Sequence, residues 1–106
     1  MLNAERFRGG ADLHTHSTVS DGTESPAELI ASAAVAGLSA LALTDHDSTA
    51  GWEEAGAAAI EHGIVLIPGM ELSTRVSFAS VHMLGYLIDP FDEGLLAETA
   101  RIREAR

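Results

Sequence analysis

Cysteine is absent from these 106 residues. That excludes disulfides, zinc–thiolate sites and a thiol nucleophile. Basic residues are few: 6 Lys and Arg stand against 16 Asp and Glu, a net charge of −10. A long nucleic acid held on a basic groove is therefore disfavoured, because phosphate affinity comes largely from Lys and Arg. Aromatics make up only 5%. No run is apolar for long enough to span a bilayer. The opening MLNAERFRGG lacks the apolar core of a signal peptide. These absences lead to the expectation of a cytoplasmic protein with no membrane partner.

What remains is 46% hydrophobic, much of it alanine. A packed core is expected and disorder is not. Alanine-rich helices approach a sheet closely, though each buries less area than Leu or Phe would. The length suits one domain or part of one.

A strand is read over residues 11–14, and a helix from Ser25 to about Ala36. Ser25 is its candidate N-cap, Pro26 fits the first position and Glu28 completes a capping box. Gly37 stops it. A second strand over 38–43 ends in TDHDST. Ser48 or Thr49 is the candidate cap for a helix over 51–62, which Gly63 ends. The continuous apolar run 64–67 reads as a buried strand, followed by a polar PGMELS. Another strand candidate covers 81–88 as part of a hairpin. Asp92 or a neighbour starts a last helix over about 93–103. This alternation means parallel strands with right-handed crossovers.

Chemistry-bearing residues fall where each strand ends. HTHS follows the first, TDHD the second and GMELS the third. Alternate strand residues share a face, so His14 and His16 present two imidazoles together. In a parallel sheet, successive strand ends lie on one side. His14, His16, Asp21, His46 and Glu71 would converge there, and His82 in VHMLGY would face the same cavity. Singly, each has a plain structural reading: Asp21 a turn before Gly22, Asp45 and Asp47 turn formers, His82 a core histidine. Jointly those readings require an accident at the end of every strand. His62 stands apart as a helix C-terminal residue, where the macrodipole favours a cation.

Imidazole and carboxylate donors without sulfur suit zinc, manganese or iron. Neither GxGxxG, a P-loop nor a familiar Ser–His–Asp spacing is present. Metal-assisted phosphoester hydrolysis is the natural chemistry, since metal pairs activate water and clamp phosphate. A small phosphorylated substrate could then bind through cations despite the acidic chain.

The segments DLHTHSTVSDG, LALTDHDSTAGW, GIVLIPGMELS and VHMLGYLID resemble the successive motifs of the PHP (polymerase and histidinol phosphatase) superfamily. They are more similar to its stand-alone phosphoesterases than to its DNA-polymerase modules. That branch includes nucleoside 3′,5′-bisphosphate phosphatases and enzymes that trim short RNA from the 5′ end.

The resemblance implies an α/β fold, the N-terminal part of a distorted (β/α)7 TIM-like barrel. It implies three divalent ions (Mn, Zn or Fe). His14 and His16 would hold one, and Glu71 would bridge it to a second that His82 also binds. Asp21 and His46 would hold the third. Asp12, Asp45 and Asp47 would support these ligands or shape turns. A metal-bridging hydroxide would attack phosphorus in nucleoside bisphosphates or short oligoribonucleotides. Members of this branch are much longer and carry a later histidine and a final Asp-x-His. The expectation is therefore that residues 1–106 are the N-terminal portion of a PHP domain. Open barrel edges would then favour self-association. The competing expectation is a catalytically incomplete metal-binding fragment that needs a complementary chain.

Overall fold

The structure is a computed structural model that describes residues 9–76, 79–87 and 91–105. Among the described residues four strands and three helices follow in the order β1 (Ala11–Thr15), α1 (Pro26–Val35), β2 (Ala40–Leu43), α2 (Trp52–His62), β3 (Val65–Val76), β4 (Ala79–Tyr86) and α3 (Glu93–Ala105). The strands form one sheet in the order β1-β2-β3-β4. The first three are parallel, and β4 returns antiparallel to β3.

The alanine-rich segments explain how the layers meet. All four residues of β2 are buried, as expected of a central strand covered on both faces. On one face α1 contributes Ile30 and Ala33, and α2 contributes Ala55, Ala58 and Ala59. These pack with Leu41, Leu43 and Ile64. The small side chains bring the two helices close to each other and to the sheet.

Helix boundaries follow local chemistry. Ser25 Oγ accepts the Glu28 N–H while the Glu28 carboxylate accepts the Ser25 N–H, giving the expected capping box. Gly37 and Gly63 both adopt left-handed φ, +85° and +67°, and end α1 and α2 as glycine can without strain. Asp92 starts α3: its Oδ1 accepts the Leu95 N–H at 2.8 Å.

Two expectations are corrected. Neither Ser48 nor Thr49 caps α2; the N-cap is Gly51, without a side-chain bond. Ser48 Oγ instead accepts the Ala50 N–H, and the Thr49 carbonyl accepts that of Trp52, so both shape a turn one step earlier. The second correction concerns the end of the third strand, read at residue 67: β3 runs on through PGMELS to Val76. Pro68 is the last β3 residue paired with β2, opposite Leu43, where a missing N–H does least damage to the ladder. From Gly69 onward β3 pairs with β4, Gly69 opposite Tyr86 through Val76 opposite Ala79. The hairpin strand begins at Ala79 rather than 81, and position 88 lies outside the described residues.

Candidate metal centre

The donor side chains come from β1 and the loop after it, the loop after β2, and the middles of β3 and β4. His14 lies in β1 and His16 just beyond it. Past β2 the chain keeps following β3: the Glu71 N–H donates to the Asp45 carbonyl at 3.1 Å, and the Asp47 N–H donates to the Glu71 carbonyl at 2.9 Å. These bonds form an isolated parallel bridge between His46 and Glu71. They set the TDHD loop against the middle of β3. His82 comes from β4, opposite Ser73.

Glu71 is the centre of the arrangement. Its Oε1 lies 2.6 Å from His14 Nε2 and 2.8 Å from His16 Nε2. Its Oε2 lies 2.8 Å from His82 Nδ1 and 3.7 Å from His46 Nδ1. Asp21 joins from the loop after β1: Oδ1 lies 2.6 Å from His16 Nδ1, and Oδ2 lies 3.1 Å from His46 Nε2. Gly22 makes that loop possible. A Cβ there would stand 2.2 Å from the His16 carbonyl oxygen.

All six expected residues therefore meet in one place. They form three overlapping groups with mutually close donor atoms: His14, His16 and Glu71; His16, Asp21 and His46; His46, Glu71 and His82. The resemblance had divided the residues without sharing beyond Glu71, whereas here His16 and His46 each belong to two groups. The His82 side chain is 45% exposed, so it is not a core histidine. His62 enters none of these groups and lies exposed in the last turn of α2.

The electrostatics show what the cluster accommodates. Burial acts first on the Glu71 carboxyl and pushes its pKa up. Hydrogen bonds from His14 and His16, the nearby His46 charge and the His82 bond outweigh this and hold it below the ordinary glutamate range. At Asp21 burial again acts upward, and the bond and charge of His16, with His46 behind, bring the pKa below the usual value.

Neutral imidazole has one donor and one acceptor nitrogen. His16 faces a carboxylate oxygen at both nitrogens, and so does His46. His46 Nδ1 is buried without a hydrogen-bond partner. A lone pair aimed at an anionic oxygen is unfavourable unless the ring is protonated or a cation lies between the two. The donor set, imidazole nitrogen and carboxylate oxygen without sulfur, fits divalent metal ions. An open cleft of about 310 Å3, lined by His14, His16, Asp21 and Gly22, leads to the cluster.

The aspartates beside the cluster hold the loops. Asp45 is buried and accepts three hydrogen bonds: from the Ser17 N–H at 2.6 Å, Ser17 Oγ at 2.7 Å and Ser20 Oγ at 2.7 Å. Asp47 is buried with a left-handed φ of +49°, a conformation Asp tolerates better than most residues. Its Oδ1 accepts the Ser73 N–H at 2.8 Å, and its carbonyl accepts the Arg103 guanidinium of α3. Asp12 Oδ1 accepts the His14 N–H at 3.1 Å. Ser17, Ser20, Arg103 and Tyr86 escaped the sequence reading. Ser17 and Tyr86 stand inside the motifs HTHS and VHMLGY, and that proximity was the available signal.

Comparison with known proteins agrees with this geometry. A 3′,5′-nucleoside bisphosphate phosphatase of Chromobacterium violaceum is 46% identical over 95 residues, covering 90% of this chain and 33% of that protein. A 5′-3′ exoribonuclease of Haemophilus influenzae is 46% identical over 98 residues, covering 90% of this chain and 36% of that protein. The chain thus spans about a third of the length of the curated relatives it matches. A Bifidobacterium adolescentis structure assigned as a metal-dependent phosphoesterase superposes with a TM-score of 0.88 at 42% identity, over 93% of this chain and 35% of that one. The PHP domain family matches residues 12–101. The sheet of mostly parallel strands is accordingly part of a TIM-barrel-like fold, and the chain belongs to the PHP domain family.

Proposed function

We propose that this chain carries the ligand-rich part of a metal-dependent phosphoesterase acting on small phosphorylated substrates, nucleoside bisphosphates or short oligoribonucleotides. The observation that carries the reading is the meeting of four imidazoles and two carboxylates, with His16 and His46 each facing carboxylate at both nitrogens. The assigned ligands are His14, His16, Asp21, His46, Glu71 and His82. Divalent ions (Mn, Zn or Fe, up to three) would supply water activation and neutralise phosphate oxygens.

The chain's own residues do the rest. Glu71 offers one oxygen to the His14 and His16 side and the other to the His46 and His82 side, so it fits a bridging role. Asp45 fixes the HTHS loop and Asp47 fixes β3, which keeps the donors converged. The cleft is open on the His14 and Asp21 side, where a phosphate would enter. Without cations, Glu71 and Asp21 would repel a phosphate anion, so binding of substrate requires them. No helix among the described residues is long and apolar enough to cross a membrane.

The test is metal content after dialysis against Mn2+, followed by hydrolysis of a nucleoside 3′,5′-bisphosphate by the wild type and His14→Ala. Bound metal with release of phosphate, both reduced in the variant, is expected. No bound metal in either protein contradicts the reading.

A second reading has its own observation. Four of the five β1 residues are exposed, and Leu13, Leu84 and Tyr86 keep apolar surface beside the centre. An open edge of this kind suits pairing with a complementary chain or a second copy. On this reading residues 1–106 are the N-terminal portion of a PHP domain and bind metal without turnover. Mass measurement in solution separates the two: a folded, active monomer rules out the need for a complement.

A further inference from the structure

Tyr86 is not among the donor residues, yet its side chain crosses the whole sheet. β1 and β4 are opposite edges of four strands, and still the Tyr86 hydroxyl donates to the Leu13 carbonyl at 2.7 Å. The sheet must curl strongly to bring them together. Two independent features of the chain prepare this contact.

The first is in β1. Asp12 pairs with Leu41 and Thr15 with Leu43, so β1 advances one residue more than β2 between those points. The surplus is a bulge at Leu13 and His14. A bulge leaves an unpaired residue in the ladder and re-aims a side chain. The Leu13 carbonyl that Tyr86 reaches lies in this stretch, and the residue that follows it is the ligand candidate His14. The second feature is Gly69, opposite Tyr86 in the β3–β4 pairing. A Cβ at Gly69 would lie 2.8 Å from Thr44 Cγ2, 3.0 Å from the Gly85 carbonyl oxygen and 3.2 Å from Tyr86 Cδ1. The missing side chain leaves room where Thr44 Cγ2 and the tyrosine ring both approach the β3 backbone.

We propose that Tyr86 is a positioning residue whose hydroxyl holds the Leu13–His14 bulge and thereby sets where His14 Nε2 stands relative to Glu71. Its consequence for cation affinity rests on the metal-binding reading above; its consequence for the bulge does not. The phenol reaches no donor atom of the cluster. It acts through the β1 backbone.

The experiment compares wild type, Tyr86→Phe and Ala58→Gly, the last a destabilising change on α2 remote from the cluster. Two quantities are read: amide hydrogen exchange at His14 and Thr15 in metal-free protein, relative to α2 amides, and Mn2+ affinity by calorimetry. Tyr86→Phe keeps the ring and loosens the bulge by about the weight of one hydrogen bond, so the His14 N–H, which donates to Asp12 Oδ1, should exchange about fivefold to tenfold faster. Its Mn2+ affinity should fall by about tenfold, as when a partner orienting a ligand is lost. Ala58→Gly should change neither ratio. Unchanged His14 exchange in Tyr86→Phe overturns the proposal, as does an equal effect in Ala58→Gly. If the wild type takes up no Mn2+, the metal-binding reading fails, and the exchange data alone decide the role of Tyr86.

Discussion

At the scale of single residues, the centre depends on buried acids that touch no solvent. Asp45 illustrates the point. It receives three hydrogen bonds from residues 25 and 28 positions away. Replacing it with alanine leaves the Ser17 N–H and hydroxyl buried without their acceptor, which costs about 2–4 kcal/mol. Urea denaturation of Asp45→Ala against wild type measures this, and a loss under about 0.5 kcal/mol would remove Asp45 from the account. The donor histidines were legible because HxH spacing on a strand is a local signal. A supporting role for Asp45 was implied by the resemblance, but its serine partners were not legible, since they become neighbours only when β1 and β2 pair. Arg103, which reaches the Asp47 carbonyl from 56 residues away, was hidden for the same reason.

Elements repeat the contrast between local and distant information. The α1 start was legible because its capping box is written within four residues. Its pH dependence follows. The Glu28 carboxyl sits below its usual value, first because of the Ser25 backbone N–H and then the Ser25 side chain. A depressed acid stabilises the folded state above its unfolded pKa, and that contribution is lost as pH falls through the folded value. Glu28→Ala, which removes the titrating acceptor of the Ser25 N–H, should therefore weaken α1 at neutral pH. The gap from wild type should narrow in acid as Glu28 protonates. Thermal unfolding of both proteins from pH 7 to pH 3 checks this, and a gap that widens on acidification would contradict it. The length of β3, by contrast, was not legible. Pro68 and Gly69 look like a break unless one knows that β2 ends there and β4 takes over on the other side. Glu71 consequently sits inside a strand rather than in a loop, which anchors its backbone on both sides.

For the whole molecule, parallel order and the position of the centre could be read from the alternation of elements, because strand ends of a parallel sheet share one side. How the donors share metals could not, because His16 and His46 each face two carboxylates only after the loops following β1 and β2 fold against β3. The concentrated negative charge there makes cation binding and folding interdependent. A ligand that binds only the folded state stabilises it by mass action, so Mn2+ should raise the melting temperature and a chelator should reverse the gain. The most direct test is equilibrium dialysis against Mn2+ with elemental analysis of the wild type and Glu71→Gln, folding being checked by circular dichroism. Glu71→Gln keeps the shape of the side chain and removes its charge and one of its acceptor oxygens. The account predicts Mn2+ retained by the wild type and at least about tenfold weaker binding in the variant. A wild type that holds no Mn2+, or a variant that binds equally well, would contradict it.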